Sequence, residues 1–120
     1  MANVEANRPW EERTLKFAVA IVRFVATFPP SATGIVVGRQ LLKAGTSVGA
    51  NYREANRAES RDDLQHKTAV VLKKAAETDY RLELCVRVEL GDPSQRAWLC
   101  EAGRELPAIF TTINRRAKGK

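Results

Sequence analysis

The sequence predicts an all-α protein, an antiparallel up-down-up-down four-helix bundle, on three observations. Apolar residues recur at 3-4 spacing through four long stretches. Short breaks rich in Pro, Gly, Ser and Asp separate those stretches. No strand-like alternation, repeat or low-complexity segment interrupts them. A chain of 120 residues forms one domain over 1–120, large enough to bury a single core without staples. Four long amphipathic helices with short connections then close on one another as a bundle.

The first helix is expected over about 10–28, after a loose lead-in over 1–9. Leu15, Ala18, Val22 and Val25 form one stripe, and Phe17, Ile21, Phe24 and Phe28 a second beside it. Together they leave only a narrow polar strip around Lys16, Arg23 and Thr27. A bundle helix needs about a third of its circumference apolar, so the surplus is expected to cover a neighbouring subunit, the alternative being an unusually deeply buried first helix. Pro29-Pro30 ends this helix, because neither ring nitrogen donates and Pro30 pushes its predecessor out of the α region.

The second helix is expected over 32–57, capped by Ser31 or Thr33. Its core stripe is Val37, Leu41, Ala44, Val48, Tyr52 and Ala55. Gly38, Gly45 and Gly49 fall together beside that stripe. Each costs roughly 1 kcal/mol against alanine inside a helix, so close approach of another backbone is the expected compensation.

Ser60 and Asp63 form a capping-box-like start for the third helix, expected over 61–90. Its core stripe is Leu64, Val71, Ala75, Leu82 and Val86, flanked by Thr68 and Leu72, and Gly91 is its left-handed stop. Asp92 caps the fourth helix and Pro93 takes its first position, where no amide is needed. That helix, over 93–116, is expected to pack Trp98, Leu99, Ala102, Leu106, Ile109, Phe110 and Ile113. Pro107 lies outside the stripe, so it should kink the helix on its solvent side without ending it. A basic tail over 115–120 is expected to fray.

Catalytic arrangements are scarce. The one histidine, His66, lies on a polar side with no cysteine or acid pair at metal spacing. No P-loop or nucleophile elbow appears. Asp79 and Glu83, at i,i+4, could share a proton, but such acids more often accept from an arginine or asparagine, with Asn51 a candidate. The expectation is a non-enzyme with no catalytic residues, no cofactor and no metal. Cys85 and Cys100 lack ligand spacing and read as reduced thiols. No apolar run approaches the roughly 18 residues of a membrane span, and no signal pattern opens the chain, so a cytoplasmic protein is expected.

The cations are better organised. A net charge of +6 favours acidic partners, nucleic acid above all. On the second helix Arg39, Lys43, Arg53 and Arg57 fall within about 80° of one another. On the third, Lys67, Lys74 and Arg81 recur every seven residues as a straight row. Such rows suit a phosphate backbone, with Arg115 and Arg116 as auxiliaries. The competing reading is a solvated face laced by acids such as Glu54, Glu77 and Glu83.

The run from Gln40 to Ala55, QLLKAGTSVGANYREA, is followed by Ala58-Glu-Ser-Arg-Asp-Asp63, Lys67 and the stretch from Ala76 to Leu84. Together these closely resemble the four-helix bundle proteins named after the 23S rRNA intervening sequence, over about 15–113. The resemblance implies the antiparallel bundle already derived and a ring-shaped homopentamer. It extends to the accessory protein of diversity-generating retroelements, which binds a reverse transcriptase and nucleic acid. Two positions depart from the family's habit: Leu64 replaces a common phenylalanine, and Arg81 a common tryptophan. The expected function is a non-catalytic, ring-like homo-oligomer binding RNA or other nucleic acid. The alternatives are an adaptor recruiting a partner enzyme such as a reverse transcriptase, or an assembly without a legible ligand.

Overall fold

The computed structural model describes residues 4–119 as four α-helices. They are α1 (Val4–Val25), α2 (Ala32–Ala55), α3 (Arg61–Arg87) and α4 (Pro93–Gly119). Each helix packs on the next, and α4 returns to α1 to close an antiparallel bundle of 46 × 21 × 20 Å. The closure is uneven: α4 lies close along α3 and meets α1 far more loosely.

Each connection is built by the capping chemistry of its sequence. The Ser31 hydroxyl accepts from the Gly34 amide at 3.0 Å and starts α2, leaving Thr33 inside the helix. At α3, Ser60 accepts from the Asp63 amide at 3.0 Å while Asp63 accepts from the Glu59 amide at 3.1 Å. That reach back goes one residue beyond the expected box. The Glu59 amide, and then Lys67, hold the Asp63 carboxyl below its ordinary range. Asp92 accepts from the Gln95 amide at 2.9 Å and starts α4. The same residue's amide donates to the Thr27 hydroxyl at 2.9 Å, which ties the end of α1 to the start of α4.

The helix ends differ from expectation at several places. α1 begins at Val4, ahead of the expected start near Trp10, and contains Pro9; residues 1–3 of the lead-in lie outside the described residues. A proline removes one amide but its fixed φ is a helical one, so near a helix start it need not mark the boundary. α1 stops at Val25, where Thr27 and Phe28 donate back only three residues, to Phe24 and Val25. α2 stops at Ala55 and α3 at Arg87, each two or three residues early, in similarly tightened turns. α4 is helical to Gly119 with Pro107 inside it, three residues beyond the expected end, and residue 120 of the basic tail lies outside the described residues.

All six residues of the α2 stripe are buried, from Val37 to Ala55. Phe17, Ile21 and Phe24 fill the α1 side of the core, and Leu99, Leu106 and Phe110 the α4 side. The close approach predicted by the glycines is intramolecular. A Cβ on Gly45 would lie 2.9 Å from Ile21 Cγ1, and one on Gly49 2.9 Å from the Thr14 hydroxyl. The glycine side of α2 is therefore the seat of α1, and Thr14 stays satisfied there by donating to the Trp10 carbonyl at 2.8 Å.

Two stripe assignments are corrected. Val86 is exposed, and Thr78 and Cys85 are buried in its place, because α3 rotates its seam toward α4 at that end. Trp98 is 56% exposed, beside the loose α1–α4 seam. At the far end Asn114 is buried and donates to the Thr68 hydroxyl at 2.8 Å and the Gln65 carbonyl at 3.0 Å, fixing the register of α4 on α3.

Burial pushes the Cys85 thiol up to about 11, with the nearby Cys100 adding to the rise. The native state thus keeps this proton longer than the unfolded chain does. Stability from this source is fully present below pH 9 and is lost as pH rises through about 11, by roughly 2–3 kcal/mol. In urea unfolding, the advantage of the natural protein over Cys85→Ala should shrink by that amount between pH 8 and pH 11. A constant gap would rule the linkage out.

Candidate nucleic-acid interface

The nine candidate phosphate-binding residues divide into three groups. Arg39 and Lys43 on α2, and Arg57 in the turn that follows it, are exposed and make no ion pair among the described residues. Arg39 and Lys43 stand one turn apart, roughly 6 Å along the α2 axis, and Arg57 follows beyond the helix end at Ala55. Arg53 belongs to the same side but leans toward Glu11 of α1, at 3.9 Å.

The α3 row is laced by its own acids. Lys67 sits 3.1 Å from Asp63, while Lys74 and Arg81 each lie 3.8 Å from Glu77. Arg81 also donates to the Gln40 side chain at 3.1 Å and lies 5.7 Å from the centre of the Tyr80 ring. Its Nε is buried without a hydrogen-bond partner, so this guanidinium is built into the α2–α3 seam and is not held out to solvent. The straight row was legible from spacing; the acids three and four residues away are what neutralise it. Lys67, Lys74 and Arg81 are thus more fully neutralised than Arg39, Lys43 and Arg57.

Arg115 and Arg116 are exposed in the last turns of α4, where cations also complement the helix dipole. The register fixed by Asn114 places them at the α3 start, near Lys67, so they extend the same end of the molecule as Arg57.

Glu83 pairs with Arg87 at 3.1 Å, and burial raises Asp79, with Arg104 opposing the rise and Glu83 adding to it. Asn51 does not reach these acids; its amide donates to the Ser47 carbonyl one turn back at 2.8 Å. Among the described residues no three of His, Cys, Asp or Glu gather as a metal site. None of the described helices is long and apolar enough to cross a membrane.

Sequence reasoning treated α1's surplus apolar face as one surface, and the structure divides it. Leu15, Val19 and Val22 form an exposed ridge, 40–50% accessible. On one side a shallow groove runs against Thr46, Gly49 and Ala50 of α2. On the other lies the α1–α4 groove, with Trp98 in its wall. Lys16 and Arg23, read only as a polar strip, line the second groove.

Fold and surface define a class: a basic antiparallel four-helix bundle with one exposed cationic helix and one uncovered apolar helix. The chain belongs to the 23S rRNA-intervening sequence protein family, whose profile matches residues 8–111. It is similar to a solved protein of unknown function from the S23 ribosomal protein family of Bacteroides thetaiotaomicron VPI-5482. The two share 35% identity and a TM-score of 0.78, over 88% of this chain and 97% of that one. No curated protein matches the chain.

Proposed function

We propose that this protein is a non-catalytic, cytoplasmic homo-oligomer that binds RNA through the outer face of α2. The observation that carries the reading is the set Arg39 and Lys43 on α2 with Arg57 in the turn that follows, exposed and without an ion pair among the described residues. Arginine and lysine held in this way meet phosphates without reading bases, so the expected binding is tight at low salt and weakly sequence-selective. Net positive charge reinforces it.

Assembly uses the uncovered ridge of α1. Leu15 and Val22 stand beside the small residues Thr46 and Ala50 of α2, a flat apolar surface on which a second copy can lie closely. A ring, with five copies expected from the family resemblance, repeats the α2 row around one particle and multiplies its local field.

Two measurements test the two halves. Light scattering should give a multimeric mass at micromolar concentration, and Val22→Glu should reduce it toward that of the monomer. Structured RNA should be retained at low salt, with affinity falling by roughly 0.7–0.9 log units per log unit of salt for each phosphate contacted. A monomeric mass ends the assembly reading, and failure to retain RNA at low salt ends the binding reading.

A further inference from the structure

The groove between α1 and α4 has a volume of about 590 Å³, and it lies where two neighbouring helices pack least closely. Leu15, Val19, Trp98 and Leu99 supply its walls, and it is open along its length. An enclosed pocket would suit a small ligand, which proteins bury almost completely; an open apolar trough between two helices suits a third helix. Trp98 is more than half exposed here, and an accessible tryptophan in a groove wall is the residue type that most often anchors a protein contact.

The rim states what kind of helix fits. Lys16 and Arg23 stand seven residues apart on the α1 side, two turns or roughly 10 Å, and neither has an acidic partner among the described residues. Glu12, one turn before Lys16, is the one acid lining this groove among the described residues, while the α4 side offers the neutral Ser94 and Gln95. Arg13 crosses to Glu105 at 2.6 Å and spans the seam beyond Trp98 at the Glu12 end, which bounds the open stretch to about three helical turns. A second copy of the same groove would set Lys16 and Arg23 against their own counterparts, a like-charge contact that disfavours symmetric pairing here.

We infer that the α1–α4 groove docks a short amphipathic helix of a partner protein, with an apolar stripe for Trp98 and Val19. Carboxylates two turns apart on that helix would meet Lys16 and Arg23. This site shares no residue with the α2 cationic row, so it stands or falls independently of RNA binding.

The test uses the full chain carrying Trp10→Phe, so that Trp98 alone reports by fluorescence. The probes are three synthetic helical peptides: an apolar stripe flanked by glutamates, the same stripe flanked by lysines, and a glutamate-flanked peptide with the stripe scrambled. The first should bind with micromolar affinity and blue-shift Trp98 emission, and the other two should bind at least tenfold more weakly. Lys16→Glu/Arg23→Glu should weaken the glutamate peptide at least tenfold and transfer the preference to the lysine peptide, with the salt slope of RNA binding unchanged. Both substitutions lie on the exposed rim, so they test the site even if Trp98→Ala disturbs folding. Absence of binding, or binding indifferent to the charge reversal, overturns the proposal. So does a Trp98→Ala variant that remains folded but loses its multimeric mass, because the groove's occupant is then a second copy.

Discussion

Gly91→Ala is expected to destabilise the fold by about 3 kcal/mol, through contact more than through backbone conformation. Gly91 has φ +81°, where an L side chain costs roughly 1–2 kcal/mol. That cost alone is tolerable, since Glu89, two residues earlier in the same turn, sits at φ 52° with a full side chain. The difference is the space. A Cβ on Gly91 would lie 2.5 Å from Phe24 and 2.7 Å from Phe28, two rings already packed edge to face at 5.0 Å. Phe24 is completely buried and cannot yield without moving the end of α1, which adds roughly 1–3 kcal/mol of overpacking. Arg96 compounds the constraint by donating to the Leu90 and Gly91 carbonyls at 2.9 and 3.0 Å, which pins the turn in place.

Thermal unfolding at fixed protein concentration should therefore show a drop of roughly 10 °C for Gly91→Ala. Glu89→Gly should be neutral or stabilising by up to about 1 kcal/mol, because it relieves a left-handed strain without creating a contact. Opposite signs at two left-handed positions of one turn separate packing from conformation. A Gly91→Ala protein melting within 2 °C of the original would mean that the turn re-forms elsewhere and the rings do not constrain it.

What the sequence reveals about this fold follows from how local each determinant is. The α2 stripe is readable in full because α2 is flanked by α1 and α3, so its buried face is a simple helical period. Gly91, Asp92 and Pro93 are readable because a left-handed stop, a cap and a first-turn proline are each satisfied within a few residues. Val86 and Trp98 mislead because apolar character at the right period does not say which helix covers a position. At Trp98 the expected neighbour, α1, stands away. The glycine side of α2 implies a close partner, but nothing in its spacing distinguishes α1 of the same chain from a second subunit. The cationic rows are visible as rows, while the effective charge of each depends on side chains three and four residues away, Asp63 and Glu77 above all.

That last distinction gives the largest functional effect expected of this protein. Replacing Arg39, Lys43 and Arg57 together by alanine should weaken RNA binding by about 100- to 500-fold at 0.1 M salt. The figure follows from three phosphate contacts at roughly 0.7–0.9 log units each, and the salt slope should flatten by about 2–3. All three side chains are exposed and unpaired among the described residues, and alanine favours helix, so folding should be retained. Replacing Lys67 and Lys74 by glutamine together with Asp63→Asn and Glu77→Gln keeps the net charge constant. It should change affinity less than threefold, because these cations already face carboxylates at 3.1 and 3.8 Å. A third variant removes the same three charges elsewhere, at the exposed Arg61, Lys73 and Arg104. If it weakens RNA as much as the α2 triple does, binding is a diffuse consequence of net charge and α2 is no interface. If the α2 triple alone flattens the salt slope, the phosphates are counted off along that helix, because only direct neutralisation releases their condensed counterions.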